Sequence, residues 1–416
     1  MSIGEAVGEA INGATEAINE RHQHLRGSAL GFRNLTHYIV RSLLEVGGFM
    51  PLLHTRLDDH MTKKKRKIRH HTVPRLHLRG FASTKGMLVQ LDLSTGDRRD
   101  VSVGDATVIR DFYTLVLPDG TRTDAWEQWL SEVESKIAPA LKRAIEAPRF
   151  RLAHGDRELL ARWIALQALR GPDNRRSQAE LASFTVRAQV GMGGLAYLQH
   201  AMAQGLGRAV SAAEAEQVWD DITSPEGPVI EVSGDEHLHT LTGLYARAAE
   251  AVYARSWGRV RFTRHSLAIS DAPVSLIPDY SGGYPGSGFL GARAIAVALD
   301  RRNLLWLDLA GEDGPDPDRD LAPSTHLARV HNLAAVVGSE RFVYFNPEDD
   351  PIPPETILPR PQPKRVQVSS APDMVNRDRP LADVLDQIAN HRAGPSTDSL
   401  IADYTWPIEG YKPRQA

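Results

Sequence analysis

Residues 156–170 read DRELLARWIALQALR, and this segment decides how the rest of the chain is arranged. Its apolar residues surround a helix on nearly every side, the pattern of a helix buried at the centre of a domain. Yet the same segment carries Arg162, Gln167 and Arg170. An ionised guanidinium is almost never fully buried without a partner, so carboxylates from other segments are expected to close around both arginines. Pro172 ends the helix.

Upstream, Asp124 can cap a helix whose text, AWEQWLSEVESKIAPALKRAIEA, puts Trp126, Trp129, Leu130, Val133 and Ile137 on one face and stops near Pro148. Glu127 and Glu134 stand seven residues apart at the edge of that stripe and point the same way, which makes them the nearest source of the required carboxylates. Downstream, helical text continues at 173–192 and 211–221, and a segment at 235–256 carries Leu238, Leu241, Leu244, Ala248 and Val252. Residues 87–117 read as short strands, MLVQLDL, RRDVSV and FYTLVL, separated by the turn STGD and closed by Pro118, Asp119 and Gly120. Strand text returns in RVRFTRHSLAISD, ARAIAVAL and LLWLDL, followed by a helix at about 324–337 and the strand RFVYFN. The fold class read from this order is α+β, with a short N-terminal β-meander, a central helical region and C-terminal β-strands packed on the helices.

The 416 residues carry a formal charge of −3, so any nucleic-acid or anionic-membrane argument has to be local. Zero cysteines exclude disulfides, thiolate zinc sites, iron–sulfur clusters and a cysteine nucleophile. The acidic start, broken by glycine, offers no readable export signal, and no run approaches the ~20 apolar residues of a spanning helix. A cytoplasmic protein without a membrane partner is expected. Residues 1–60 read as a weakly structured extension, with Gly4, Gly8 and Gly13 each costing about 1 kcal/mol in a helix, and Met61 stands as an alternative start. One domain is expected over 61–345. The remainder, 346–416, holds seven prolines in its first 18 residues and reads as mostly extended, with one helix near 381–390.

At residue 61 the text changes to MTKKKRKIRHHTVPRLHLRGFA, and residues 61–80 hold eight Arg or Lys and no acid. Lys63, Lys64 and Lys65 lead a segment, 61–69, that could track nucleic-acid phosphates, against the plainer reading of a solvated arm. Pro74 and Phe81 point to His71, rather than His70, as the histidine that enters the folded domain.

The string from His71 through Pro74 to Leu78, Arg79, Phe81 and Ala82 resembles the opening His-x-x-Pro-x-x-x-Leu-Arg-x-Phe of the family known as domain of unknown function 4238. Further landmarks follow in the family's order: Asp111 to Tyr113, Glu127 and Glu134, Leu166 to Pro172, Ser270 to Val274, and Asn332 before Val343 and Tyr344. The likeness covers about residues 68–345. It implies the domain boundary and brings no established reaction.

From the residues themselves, a buried charged pocket is expected. His71, Glu127, Glu134 and Asp271 are the candidate catalytic groups, with Arg79, Arg162, Gln167 and Arg170 as binding residues and Asp111 completing the set. Asp271 falls where the strand SLAIS ends, and Glu134 with Asp271 is the candidate pair for a divalent metal. The functional reading is a metal-assisted or acid–base phosphodiester or phosphoryl hydrolase, with arginines neutralising phosphate. The alternative is a non-catalytic binding or scaffold protein in which the same charges are a structural ion-pair network. Other signals fail on context. Gly286 to Gly291 matches G-x-G-x-x-G but leads into strand text, the loop GEDGPDPDRD lacks calcium-loop spacing, and His237 and His239 face different ways on a helix.

Overall fold

The computed structural model describes residues 67–116, 122–224, 231–278, 288–311 and 314–353, together with 356, 377–378 and 380–383. The proposed extension 1–60, Lys63 to Lys65 and most of the tail lie outside the described residues. In chain order the elements begin β1 (Arg69–His71), α1 (Arg75–Leu78), β2 (Met87–Asp92), β3 (Arg98–Ser102), β4 (Val108–Arg110), β5 (Leu115–Val116) and β6 (Arg122–Thr123). Helices follow: α2 (Ala125–Glu146), α3 (His154–Leu169), α4 (Pro172–Leu206), α5 (Ala212–Thr223) and α6 (Gly234–Tyr253). The last part contains β7 (Ser256–Arg261), β8 (Ile269–Ser270), β9 (Ser275–Ile277), α7 (Gly288–Gly291), β10 (Ala294–Ala298), β11 (Asn303–Asp308), β12 (Arg319–Leu321), α8 (Thr325–Gly338) and β13 (Phe342–Phe345). Sheets and helices are mixed as an α+β fold. The chain divides into two compact units, one mainly of residues 177–232 and one mainly of residues 54–176 and 233–364.

In the larger unit, a five-stranded sheet runs β12-β7-β11-β10-β9, with only the β12–β7 pair parallel. β10 reads AIAVA and is buried throughout, because both faces of the sheet are covered. On one face, Ile295, Val297, Leu305 and Leu307 meet Ile137, Leu141, Leu160, Trp163 and Ile164 from α2 and α3. On the other, Ala296, Ala298 and Leu304 meet Leu78, Phe81, Leu88 and Tyr344. Each fully buried leucine or isoleucine here contributes roughly 1.5–3 kcal/mol. α3 is the helix held between this sheet and α6, and Leu166 and Leu169 pack with Leu238, Leu241 and Tyr245 of α6.

A second sheet, β3-β2-β13-β8, corrects the expected meander. MLVQLDL and RRDVSV do form a hairpin, but the other neighbour of β2 is β13, with Tyr344 opposite Gln90. FYTLVL is prevented from being a third strand by Asp111, whose φ of 55° turns the chain, so that β4 pairs with β1 and β5 with β6.

α2 begins after Asp124 and ends at Glu146, two residues before Pro148. Asp124 occupies the N-cap position without making a cap bond. Its carboxylate instead accepts from the Lys67 backbone N–H at 2.7 Å and from Gln128 Nε2 at 2.8 Å. The apolar stripe of α6 uses Tyr245 in place of Leu244, which is exposed.

In the smaller unit, α4 and α5 bury Val186, Val190, Leu198, Met202, Val218, Trp219 and Ile222. Gly194 interrupts α4 at φ 81°, a conformation only glycine adopts without cost. The break releases the Leu195 N–H from the helical ladder, and the carbonyl of Arg377 takes it at 2.9 Å. Arg377 also reaches Glu216 at 2.9 Å. Among the described residues no helix is long and apolar enough to cross a membrane.

Candidate functional site

α3 delivers Arg170 at its C-cap, and the side chain is completely buried. Nε donates to the carbonyl of Thr72 at 3.0 Å and Nη1 to Glu134 Oε1 at 3.2 Å. The expected carboxylate partner therefore comes from α2, as the spacing of Glu127 and Glu134 implied. Among the described residues Nη2 has no partner, and neither has either amide atom of Gln167, one turn earlier on the same face. The carbonyl of Arg170 is gripped as well. It accepts from the Tyr113 hydroxyl at 3.0 Å and from His237 Nε2 at 3.4 Å, which satisfies one of the orphan carbonyls at the end of α3.

Glu127 lies two turns before Glu134 on α2. Burial pushes its carboxyl up to about 7, Lys67 and Arg170 oppose that shift, and Glu134 and Asp124 add to it. A carboxyl that titrates near neutrality beside a buried guanidinium is equipped for proton transfer. His71, half-buried, donates Nε2–H to the Gly104 carbonyl at 3.3 Å. Burial lowers it to about 4, with Arg75, Arg69 and Arg170 repelling its charged form, so it is neutral at pH 7.

His71 enters the fold as expected, half-buried, but the expectation that His70 stays outside is corrected. The alternation of β1 turns His70 inward, where it is fully buried. Its Nδ1 accepts the Tyr113 backbone N–H at 2.8 Å, so the proton is on Nε2, which donates to the Lys67 carbonyl at 3.1 Å.

Glu127, Glu134, Arg170 and His71 thus share one neighbourhood, and Asp271 does not join it through any hydrogen bond or ion pair. Asp271 Oδ1 accepts from the N–H of Glu340 at 2.7 Å, and Oδ2 from the N–H groups of Arg341 and Phe342 at 2.9 and 2.8 Å. It fixes the turn into β13. Burial raises its carboxyl to about 6 against the pull of those three donors. With both oxygens committed to N–H groups, Asp271 and Glu134 do not fit the divalent-metal pair expected from the sequence. Among the described residues no three His, Asp or Glu side chains gather as a metal site requires. Asp271→Asn would turn an amide toward at least one backbone N–H, and a loss of about 1–3 kcal/mol in denaturant unfolding is expected.

Arg162 corrects the picture of two buried arginines. Its side chain is 41% exposed and pairs with Glu158 one turn away at 2.5 Å, so α3 has a wet edge there. Arg79 is exposed at the C-cap of α1 and stands outside the pocket. Asp111 turns to the Thr114 hydroxyl at 3.0 Å and to Arg122 at 3.7 Å. In the basic segment, Lys67 Nζ reaches Ser131 Oγ at 3.5 Å and Arg69 pairs with Asp105 at 2.5 Å.

Other arginines matter more than the sequence disclosed. Arg259, nearly fully buried, donates to Asp320 at 2.6 Å and to the carbonyls of Ala144 and Ala147 at the end of α2, both at 2.9 Å. Arg157 binds Asp318 and caps α6 through the carbonyls of Tyr253 at 3.0 Å and Arg255 at 2.7 Å. The acidic loop set aside as a failed calcium loop supplies both partners, and its aspartates beside basic strand text were the available signal.

No curated protein and no solved structure is significantly similar to the chain. The model of a family described as a protein of unknown function (DUF4238) matches residues 69–349, a span that takes in His71, Tyr113, Glu134, Arg170 and Asp271. With most of its length inside that match, the chain belongs to the DUF4238 family.

Proposed function

We propose that the protein is a phosphoryl-ester hydrolase in which Arg170 receives the anionic group and Glu127 handles the proton. The observation that carries this reading is a fully buried guanidinium that spends Nε on Thr72 and Nη1 on Glu134 and leaves Nη2 unspent among the described residues, with Glu127 on the same helix as Glu134 and within its electrostatic reach. In the reaction, protonated Glu127 gives its proton to the leaving oxygen as the P–O bond breaks. Water adds to phosphorus and its proton returns to the Glu127 carboxylate, so the net change is consumption of one water. Glu134, ion-paired to Arg170, orients the guanidinium. A cytoplasmic place of action belongs to the same proposal.

The test is hydrolysis of bis(4-nitrophenyl) phosphate by wild type and Glu127→Gln from pH 5.5 to 8.5. Wild-type rate is expected to fall above pH 7 as Glu127 loses its proton, and Glu127→Gln to be slower by about 10²–10⁴-fold with unchanged melting. Equal rates in the two proteins, or no rate above the uncatalysed blank in wild type, would remove the reading.

A second reading, a non-catalytic scaffold, is favoured by one observation: Arg170 ties α2, α3 and the segment after β1 together through Glu134 and Thr72. It predicts a stability effect without any activity to lose.

A further inference from the structure

Residues 61–80 hold eight Arg or Lys and no acid, and the four of them that the structure describes, Lys67, Arg69, Arg75 and Arg79, are all exposed. The fold adds a further cation from outside that stretch. β1 and β4 pair antiparallel with Arg69 directly opposite Arg110, which is exposed as well. Side chains directly opposite in such a pair share one face with Cβ atoms about 5 Å apart, a spacing at which like charges repel. Arg69 Nη2 donates to the Gly104 carbonyl at 3.3 Å, and Arg75 Nη2 comes within 3.9 Å of where a Cβ on Gly104 would stand, so both side chains converge on Gly104. Arg75 and Arg79 are i and i+4 across the single turn of α1, on the same side of it. Four arginines thus follow one another over β4, β1 and α1. Asp105, paired to Arg69 at 2.5 Å, is the one carboxylate in an ion pair with any of them among the described residues. Asp111, next to Arg110 in the chain, is taken by Arg122 at 3.7 Å.

A chain of formal charge −3 that gathers cations on one exposed face presents a local positive field there. The cations are spread along the surface rather than closed around a point, so an extended polyanion matches them better than a small ion. Duplex nucleic acid carries one charge per ~1.7 Å of axis, and the guanidinium fork suits its phosphate oxygens. A membrane surface fits less well. Interfacial attachment uses an amphipathic helix with apolar anchors, whereas α1 is a single turn and Ile109 sits in the row of His70, on the opposite face of the β1–β4 pair. An unpaired strand would need rings to stack on, and Phe81, Phe112 and Tyr113, the aromatic residues nearest in sequence, are buried.

We propose that the face formed by Arg69, Arg75, Arg79 and Arg110 binds the phosphate backbone of double-stranded nucleic acid without reading its sequence.

Fluorescence anisotropy of the full chain with a fluorescein-labelled 20-base-pair DNA duplex of mixed sequence, from 50 to 200 mM NaCl, tests it. Four phosphate contacts give log K against log salt a slope of about −3.6, hence a loss of roughly 100-fold over that range. A second duplex of unrelated sequence should bind equally well. Arg75→Gln/Arg110→Gln removes two cations without an ion pair among the described residues, and is expected to weaken binding at 50 mM at least tenfold and bring the slope to about −1.8. Should melting show that variant to be unfolded, Arg110→Gln alone should reduce the slope by about 0.9. Arg149→Gln/Arg151→Gln removes the same charge from exposed positions elsewhere and should change affinity less than twofold. No binding by wild type at 50 mM, an unchanged slope in Arg75→Gln/Arg110→Gln, or equal weakening by Arg149→Gln/Arg151→Gln would overturn the proposal. Vesicles containing 30% phosphatidylserine are expected to leave the protein in solution. Retention of wild type on them, lost in Arg75→Gln/Arg110→Gln and without DNA binding, would assign the face to a membrane and overturn the proposal too. Binding rather than turnover is read, so a duplex that is held but not cleaved leaves this face standing whatever becomes of the hydrolase reading.

Discussion

Lowering the pH from 7 to 4 is expected to unfold the protein, with buried histidines as the main cause. His77, His237 and His331 are almost completely buried, and burial holds each at about 4 against 6.5 for the free side chain. His77 and His331 donate Nε2–H to carbonyls, while their Nδ1 atoms face no acceptor, so a second proton would be a buried charge without a partner. The unfolded chain takes up those protons below pH 6.5 and the native chain does not. Stability is therefore complete above pH 6.5 and is lost as pH falls toward 4, by about 3 kcal/mol for each of the three at 1.36 kcal/mol per unit. Glu127 and Asp271, raised to about 7 and about 6, act the other way and gain stability as pH falls through those values. Two carboxyls do not offset three buried imidazoles plus His71. Carboxylates held low by arginine, such as Asp92 beside Arg341, add to the loss near pH 2. Guanidinium unfolding at pH 7, 6, 5 and 4 measures this, and a flat free energy across that range would refute it. In His331→Gln, which keeps a donor for the Ala268 carbonyl, part of the slope between pH 6 and 4 should disappear.

The second large effect is expected from Arg170→Met. Removing the guanidinium leaves the Thr72 carbonyl without its donor and Glu134 beside an apolar side chain, and a loss of about 3–5 kcal/mol follows for a broken buried pair. Because Glu134 is a quarter exposed, it can partly turn to water, so Glu134→Gln alone should cost only about 1 kcal/mol. The double variant Arg170→Met/Glu134→Leu should recover part of the loss, and the difference between the single and double variants gives the coupling. An Arg170→Met protein as stable as wild type would remove Arg170 from the centre of the molecule.

The helical part of the fold was legible because its signals are local. α3 announces its burial by composition, and the need of Arg170 for a carboxylate was met by Glu134 from the neighbouring helix. The strands were less legible. MLVQLDL states that it is a strand but not that its second neighbour is β13, since nothing local distinguishes FYTLVL from Phe342–Phe345 as a partner. His70 was missed because the alternation of a three-residue strand, which turns it fully inward while His71 stays half-buried, leaves no mark in residue type. Asp271 was placed correctly at a strand end but misassigned in role. A carboxylate that binds three backbone N–H groups and one that binds a metal look identical in text, and only the position of the 340–342 turn separates them. Arg255 was silent for a related reason. It is buried on four backbone carbonyls, those of Phe289, Ala292, Arg293 and Leu307, and backbone acceptors leave no trace in residue identity.

The seating of β13 against β2 sets a timetable for synthesis. Gln90 and Tyr344 are hydrogen-bonded across 254 residues of chain. At ribosomal rates of about 5–20 residues per second, the nascent hairpin of β2 and β3 waits on the order of 10–50 s before its missing neighbour exists. Throughout that interval one flank of β2 presents unpaired amides and carbonyls to the crowded interior of the cell, so this early hairpin is where chaperone engagement or aggregation during translation would begin.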